Sequence, residues 1–190
     1  MRAFILLHGL ENLRPPEHWQ HWLSLQLRER GEEVHYPQLP HPMEPLLADW
    51  AATLDSVLAG TSGRERVVLC HSLSCLTWLR HSPALQPGAA ARLLLVSPPD
   101  PLALPPGGID FSHGPIDFDA ARRSCSSPIR IVSRESDPYS PNGAGSLFAE
   151  PLGAELDLIP GEGHINPDDG YGPWPAVLEW CEDPATRLAS

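Results

Sequence analysis

The chain has 190 residues, 42% hydrophobic and 19% charged, the profile of an ordinary globular protein long enough to bury a core as one domain over 1–190. Its formal net charge of -11, with 13 basic residues in all, argues against a nucleic-acid role, because phosphate binding needs clustered Lys and Arg. No segment is long and apolar enough to span a bilayer, so no membrane partner is expected.

Residues 2 to 7 form an apolar run without alternation, as for a strand covered on both faces in a parallel sheet. The run meets His8-Gly9-Leu10 too soon for a signal-peptide core, and a glycine there lets backbone N–H groups approach a ligand closely. Trp19, Trp22, Leu23 and Leu27 recur at helical spacing, which predicts a helix from Glu17 to Arg30 closed by Gly31. His18 and His21 lie three apart on it, but no third ligand accompanies them, so packing and surface roles are preferred to a metal site. Glu33 to Tyr36 reads as a short strand, residues 37 to 45 as a stiff proline-rich connection, and Leu46 to Leu58 as an amphipathic helix.

The next stretch, Val67-Val68-Leu69-Cys70-His71-Ser72-Leu73-Ser74-Cys75, is an apolar run that stops at one serine among small residues and leads into a helix-compatible segment. That is the outline of a strand, a sharp turn and a helix, in which the serine hydroxyl projects above the sheet edge. The usual pattern for such a turn is Gly-x-Ser-x-Gly; here Cys70 and Ser74 occupy the glycine positions. His71 reads as a packing residue or one that orients the turn. Further on come a strand at Arg92 to Val96, an aperiodic stretch over 98–117 placed to cover a substrate, and a strand at Ile129 to Ser133 followed by Asp137. A helix near 144–150, a strand at Glu155 to Ile159 followed by His164, and a closing helix from Trp174 to Cys181 complete the series.

Strands alternating with helices predict an α/β fold of about six mostly parallel strands with helices on both faces. The four cysteines, Cys70, Cys75, Cys125 and Cys181, show no paired CxxC spacing, which predicts reduced thiols, no zinc site and a cytoplasmic location.

His8, Ser72, Asp137 and His164 each follow a predicted strand end, where reactive groups of parallel sheets gather. A serine hydroxyl needs a base during attack, histidine can supply it, and a carboxylate on the far ring nitrogen fixes the tautomer. The order Ser72, Asp137, His164 is the one an α/β-hydrolase requires. Asp100, Asp168 and Asp169 stand as alternatives to Asp137, which is preferred for its place directly after a buried strand. Backbone N–H groups of Leu10 and Leu73 would hold the oxyanion. Trp78, Phe111 and Trp174, with Phe118, are candidates for an apolar acyl pocket or for core. The chemistry expected is cleavage of a small soluble ester or amide through an acyl-enzyme, with neither metal nor cofactor. The rival expectation is a catalytically weak protein of the same fold acting as a protein-binding module.

The chain resembles the small serine hydrolases typified by the bacterial YdeN-type proteins and the retinoblastoma-binding serine hydrolase of animals. The resemblance rests on His8-Gly9, His18-Trp19 with Trp22-Leu23, and Pro40-x-Pro42-x-x-Pro45-x-Leu47-x-Asp49-Trp50. It continues through His71-Ser72-Leu73-x-Cys75, Val96-Ser97, Ser136-Asp137-Pro138-Tyr139-x-Pro141 and Gly163-His164 leading to Gly170-Tyr171. It implies a compact lidless α/β-hydrolase fold with Ser72, Asp137 and His164 as triad. The departures are Cys70 and Ser74, since the family has Gly or Ala before the His and Gly after the Leu; a side chain at 74 would either tighten the turn or shift the Leu73 N–H.

Overall fold

The computed structural model describes residues 1–189. Its strands are β1 (Arg2–Leu7), β2 (Glu33–His35), β3 (Glu65–His71), β4 (Arg92–Val96), β5 (Arg130–Ser136) and β6 (Glu155–Glu162). They form one sheet in the order β2-β1-β3-β4-β5-β6, and every neighbouring pair is parallel. The helices are α1 (Trp19–Glu29), α2 (Leu47–Gly60), α3 (Leu73–His81), α4 (Phe118–Arg123), α5 (Glu150–Leu152) and α6 (Pro175–Glu182).

Both faces of the sheet are covered, which explains the unbroken apolar runs of the central strands. Ile5, Leu7, Val68, Cys70, Leu93 and Leu95 point to one face, where Trp50 and Leu54 of α2 and Leu76 and Leu79 of α3 pack on them. Their sequence neighbours Phe4, Leu6, Val67, Leu69, Leu94 and Val96 point to the other, against Trp19 and Leu23 of α1 and Val177 and Cys181 of α6. The chain runs from β1 outward to β2 and then returns on the far side of β1 to form β3. A crevice therefore opens between the carboxyl ends of β1 and β3, the place where open parallel sheets hold their ligands.

Two features extend the sequence reading. Ser136 pairs with Glu162 beyond a bulge, so β5 and β6 run further than their apolar cores and carry Asp137 and His164 to adjacent loops. Helix α4 falls at the end of the aperiodic stretch; its six residues are too few to display helical spacing, and it is started by the Asp117 carboxylate accepting the Ala120 N–H at 2.8 Å. Among the described residues no helix is long and apolar enough to cross a membrane, and Cys70, Cys75, Cys125 and Cys181 are buried and unpaired.

Candidate active site

Strand β3 ends in a turn that forces Ser72 to φ 55° and ψ -124° before α3 begins. For a residue with a Cβ this conformation costs on the order of 1–3 kcal/mol and persists only where neighbours over-determine it. Here the Ser72 N–H donates to the Val96 carbonyl at 2.9 Å, and its own carbonyl accepts the Cys75 N–H at 2.9 Å. Gly9 at the end of β1 abuts the turn so closely that a Cβ there would stand 2.7 Å from Ser72 Cβ and 3.2 Å from Ser72 Oγ, so only glycine fits.

The Ser74 hydroxyl is bonded under the turn. Its Oγ accepts the His71 N–H at 3.0 Å and sits 2.8 Å from the Leu7 carbonyl and 2.9 Å from the His71 carbonyl. The hydroxyl thus ties β1 to β3 beneath the turn, and Cys70, fully buried, fills the other small position with its thiol pushed well up by burial.

His164 lies just past β6 and Asp137 just past β5. His164 Nε2 is 2.7 Å from Ser72 Oγ, and its Nδ1 is 2.9 and 2.8 Å from the two Asp137 carboxylate oxygens. Because a carboxylate only accepts, Nδ1 carries the proton and the Nε2 lone pair faces the hydroxyl. Asp137 also accepts the Tyr139 N–H at 2.9 Å, and both Asp137 and His164 are buried. Leu73 opens α3, so its N–H has no carbonyl within the helix to reach; the Leu10 N–H likewise has no intramolecular partner among the described residues.

The other acidic candidates have different work. Asp100 accepts the Leu102 N–H and the Asn142 amide, joining two loops. Asp168 is exposed at the pocket rim. Asp169 accepts the backbone N–H of His164, and its carboxylate occupies the space a side chain on Gly163 would need, 2.5 Å from an added Cβ. On the opposite side of the same residue, His71 Nε2 is 3.1 Å from the His164 carbonyl and must donate to it. The next carbonyl, that of Ile165, accepts from Trp19 Nε1 at 3.1 Å. The loop that carries His164 is therefore held by three side chains, and the His18-Trp19 motif has its explanation here.

His8 is not part of this chain of contacts. Its Nδ1 donates to the Gly9 carbonyl at 2.8 Å, and its Nε2 accepts the Leu39 N–H at 2.9 Å, pinning the first loop to the proline-rich connection. Trp50 Nε1 donates to the Pro40 carbonyl at 2.8 Å, tying the first and last residues of the Pro/Asp-Trp motif together. His18 starts α1, its Nδ1 accepting the Gln20 N–H at 3.1 Å, and Gln20 in turn donates to the Leu7 carbonyl. Gln20 carried no periodic or motif signal; Gly9 and Asp169 drew notice in the sequence for other roles, and only the fold shows the one packed against the serine turn and the other holding the His164 N–H.

Burial lowers His8 to about 4 and His18 to about 4, and burial with neighbouring His18 and His164 holds His71 well below its ordinary value. These imidazoles are neutral in the folded chain, whereas an unfolded histidine takes up a proton near pH 6.5. The unfolded state therefore binds more protons as pH falls from about 6.5 to about 4, and stability drops across that window. For His8 the drop is on the order of 3 kcal/mol. Denaturant melts at pH 7.5, 6 and 4.5 should show it, and a flat profile would contradict the assignment of buried neutral histidines.

The holding of His164 also has a kinetic signature. His71→Phe keeps a ring but leaves the His164 carbonyl unpaired, a loss of about 1–3 kcal/mol that should lower kcat roughly 10- to 100-fold with KM little changed. His71→Gln can restore a donor near the Nε2 position and should recover most of kcat. Equal losses in the two variants would show that the carbonyl contact is unimportant.

A pocket of about 390 Å³ opens over Ser72. Its lining includes Gly9, Leu10, Glu11 and Asn12 of the first loop, Leu73, Pro99, Leu104 and Pro105, and His18, Tyr139, His164, Asn166 and Asp168. Trp78, Phe111 and Trp174 do not line it. Trp78 is fully buried with Nε1 donating to Ser124 Oγ at 3.0 Å, Phe111 stacks edge-on against Trp50, and Trp174 does the same against Trp19. The core has taken these rings, and Phe118 packs on its margin.

A parallel sheet covered on both faces, with a serine on a strained turn at its switch point, defines a hydrolase of the α/β-hydrolase superfamily. The chain belongs to the serine hydrolase family, whose model matches residues 4–182. It is 26% identical over 176 residues to YdeN of Bacillus subtilis (strain 168), a protein named as a hydrolase, covering 92% of this chain and 91% of that one. The crystal structure of the B. subtilis ydeN gene product superposes with a TM-score of 0.82 at 23% identity, over 96% of this chain and 97% of that one. Est1E from Butyrivibrio proteoclasticus shares the fold with a TM-score of 0.69 at 17% identity, over 96% and 87% of the two chains.

Proposed function

We propose that the protein cleaves the ester- or amide-like bond of a small substrate through an acyl-enzyme on Ser72. Ser72 Oγ attacks the carbonyl carbon while His164 Nε2 takes its proton, and Asp137 holds the imidazole in the required tautomer and stabilises the imidazolium. The Leu10 and Leu73 N–H groups receive the charge that develops on the carbonyl oxygen. His164 then returns its proton to the leaving atom, and water, activated by the same imidazole, releases the acid. The whole chain of 1–190 is taken as one catalytic domain acting without metal or cofactor.

The observation that carries this reading is the continuous contact from Ser72 Oγ through both ring nitrogens of His164 to Asp137, at 2.7 to 2.9 Å, in a turn strained to expose the hydroxyl. A fluorophosphonate probe tests it. Wild type and Ser140→Ala should be labelled, with the adduct on the peptide containing Ser72, and Ser72→Ala should not. Folded wild-type protein that takes no label would overturn the reading.

A further inference from the structure

The peptide bond that joins Gly9 to Leu10 is trans, so the Gly9 carbonyl and the Leu10 N–H point to opposite edges of one plane. His8 Nδ1 holds the carbonyl edge at 2.8 Å. His8 is fully buried and stands outside the pocket over Ser72, whereas Gly9 and Leu10 line it. With its carbonyl drawn to His8, the peptide turns its N–H edge the other way, toward the pocket. The next peptide is anchored as well. The Glu11 N–H donates to the Pro42 carbonyl at 2.7 Å, and Glu11 is held at φ 56°, a conformation that a residue with a Cβ keeps only where its surroundings impose it.

The proline-rich connection also decides where His8 carries its proton. The Leu39 N–H donates to His8 Nε2 at 2.9 Å. Gln38 Oε1 accepts from Arg14 Nε at 3.1 Å, which turns the Gln38 NH₂ group to the same His8 Nε2, 2.9 Å away. Two donors facing Nε2 require its lone pair, so the ring proton sits on Nδ1, where the Gly9 carbonyl receives it. In the other tautomer the Nδ1 lone pair would face that carbonyl and the peptide would be released.

We infer that His8, with its tautomer set by Leu39 and Gln38, is a positioning residue that fixes the peptide between Gly9 and Leu10 so that the Leu10 N–H meets the charge developing on the substrate's carbonyl oxygen. The inference rests on Ser72 being the nucleophile and assigns the residue that aims one of the two oxyanion donors. The hydrogen bond on the Gly9 carbonyl also polarises the peptide, which makes its N–H the stronger donor. The connection over residues 37–42 thereby acts on the chemistry at Ser72 without touching the substrate.

Two substitutions separate this role from a simple pinning of the loop. The amide nitrogen of an asparagine stands near the place of Nδ1, and the amide oxygen of a glutamine near that of Nε2. His8→Asn therefore keeps a donor for the Gly9 carbonyl and gives up the Leu39 N–H, and His8→Gln does the reverse. His8→Gln should lower kcat on p-nitrophenyl acetate roughly 10- to 100-fold, somewhat less than deleting an oxyanion donor outright, with KM within about threefold of wild type. It should weaken a trifluoromethyl ketone by a similar factor. Ser72 Oγ bonds the ketone carbon of that inhibitor, the hydroxyl proton passes to His164, and the ketone oxygen becomes the anion the Leu10 N–H must meet. His8→Asn should stay within about fivefold of wild type in both measurements. Thermal melts identify a variant that is unfolded, and wild type supplies a test that needs none: long-range proton–nitrogen correlation at pH 7 should find the His8 proton on Nδ1. A proton on His8 Nε2, a folded His8→Gln with unchanged kcat, or a folded His8→Asn as impaired as His8→Gln would overturn the positioning role and leave the Ser72 chemistry standing. Folded wild type that neither turns over the ester nor takes a fluorophosphonate label would overturn the nucleophile assignment and the positioning role with it.

Discussion

Ser72→Ala is expected to lower ester turnover by roughly four to six orders of magnitude, the scale seen when a serine nucleophile is removed from an assembled site. The change deletes one oxygen that touches His164 Nε2 and leaves the turn, the pocket and the Leu10 and Leu73 N–H groups as they are. Because alanine retains a Cβ, the backbone at φ 55° stays strained and the melting temperature should change little. Ser72→Gly should lose as much activity but gain stability by about 1 kcal/mol or more, since glycine adopts that conformation without the steric cost. Activity lost equally with opposite effects on stability would separate the chemical role of the hydroxyl from the structural role of the turn. A Ser72→Ala protein with a tenth of the wild-type rate would place the nucleophile elsewhere.

Asp137→Asn is expected to cost about 10⁴ in kcat, the magnitude found when the carboxylate of such a site is neutralised in place. The Tyr139 N–H donates to Asp137 Oδ1, so an asparagine keeps its carbonyl there and puts its NH₂ in the place of Oδ2, 2.8 Å from His164 Nδ1. That donor demands a lone pair on Nδ1, which shifts the ring proton to Nε2, where it faces Ser72 Oγ and can no longer accept from it. KM should move far less than kcat, because Asp137 does not line the pocket. Steady-state kinetics on a p-nitrophenyl ester decides the matter; a loss under tenfold would mean that another carboxylate orients the imidazole. Asp169 is a poor substitute, since its Oδ2 is engaged by the backbone N–H groups of His164 and Asn166 and holds the carboxylate at the backbone of the loop rather than at the ring.

Much of the architecture was legible because burial leaves a strong mark on sequence. Arg92–Val96 is read with its observed ends, an uninterrupted apolar run being what a strand covered on both faces requires. Ser72, Asp137 and His164 stood out as reactive types at strand ends in a workable order, and the fold brings the three side chains into contact. The contacts that hold them could not be read, because they are tertiary: nothing in the run around Gln20 announces that its amide reaches the Leu7 carbonyl, nor does Asp169 advertise the His164 N–H. Helix α4 was hidden by its shortness.

The pocket shows where hydrophobic patterning runs out. Trp78, Phe111 and Trp174 had the size and polarity of pocket residues, but a core closed by helices on both faces consumes large rings first. The aliphatic residues left to line the site are Leu10, Leu73, Leu104 and a few prolines, which in sequence are indistinguishable from loop and core filler. Ser74 illustrates the converse. It departs from the glycine usual at its position, yet its hydroxyl accepts the His71 N–H and donates its one proton to the Leu7 or the His71 carbonyl, contacts that a glycine would leave to other partners.

The central claim is a covalent bond between substrate and Ser72. Wild-type protein turning over p-nitrophenyl butyrate, quenched in acid within the first turnovers and analysed by intact-mass and peptide mass spectrometry, should carry one butyryl group on the peptide that contains Ser72. Turnover with every Ser72 peptide unmodified, or with the butyryl group on another residue, would contradict it.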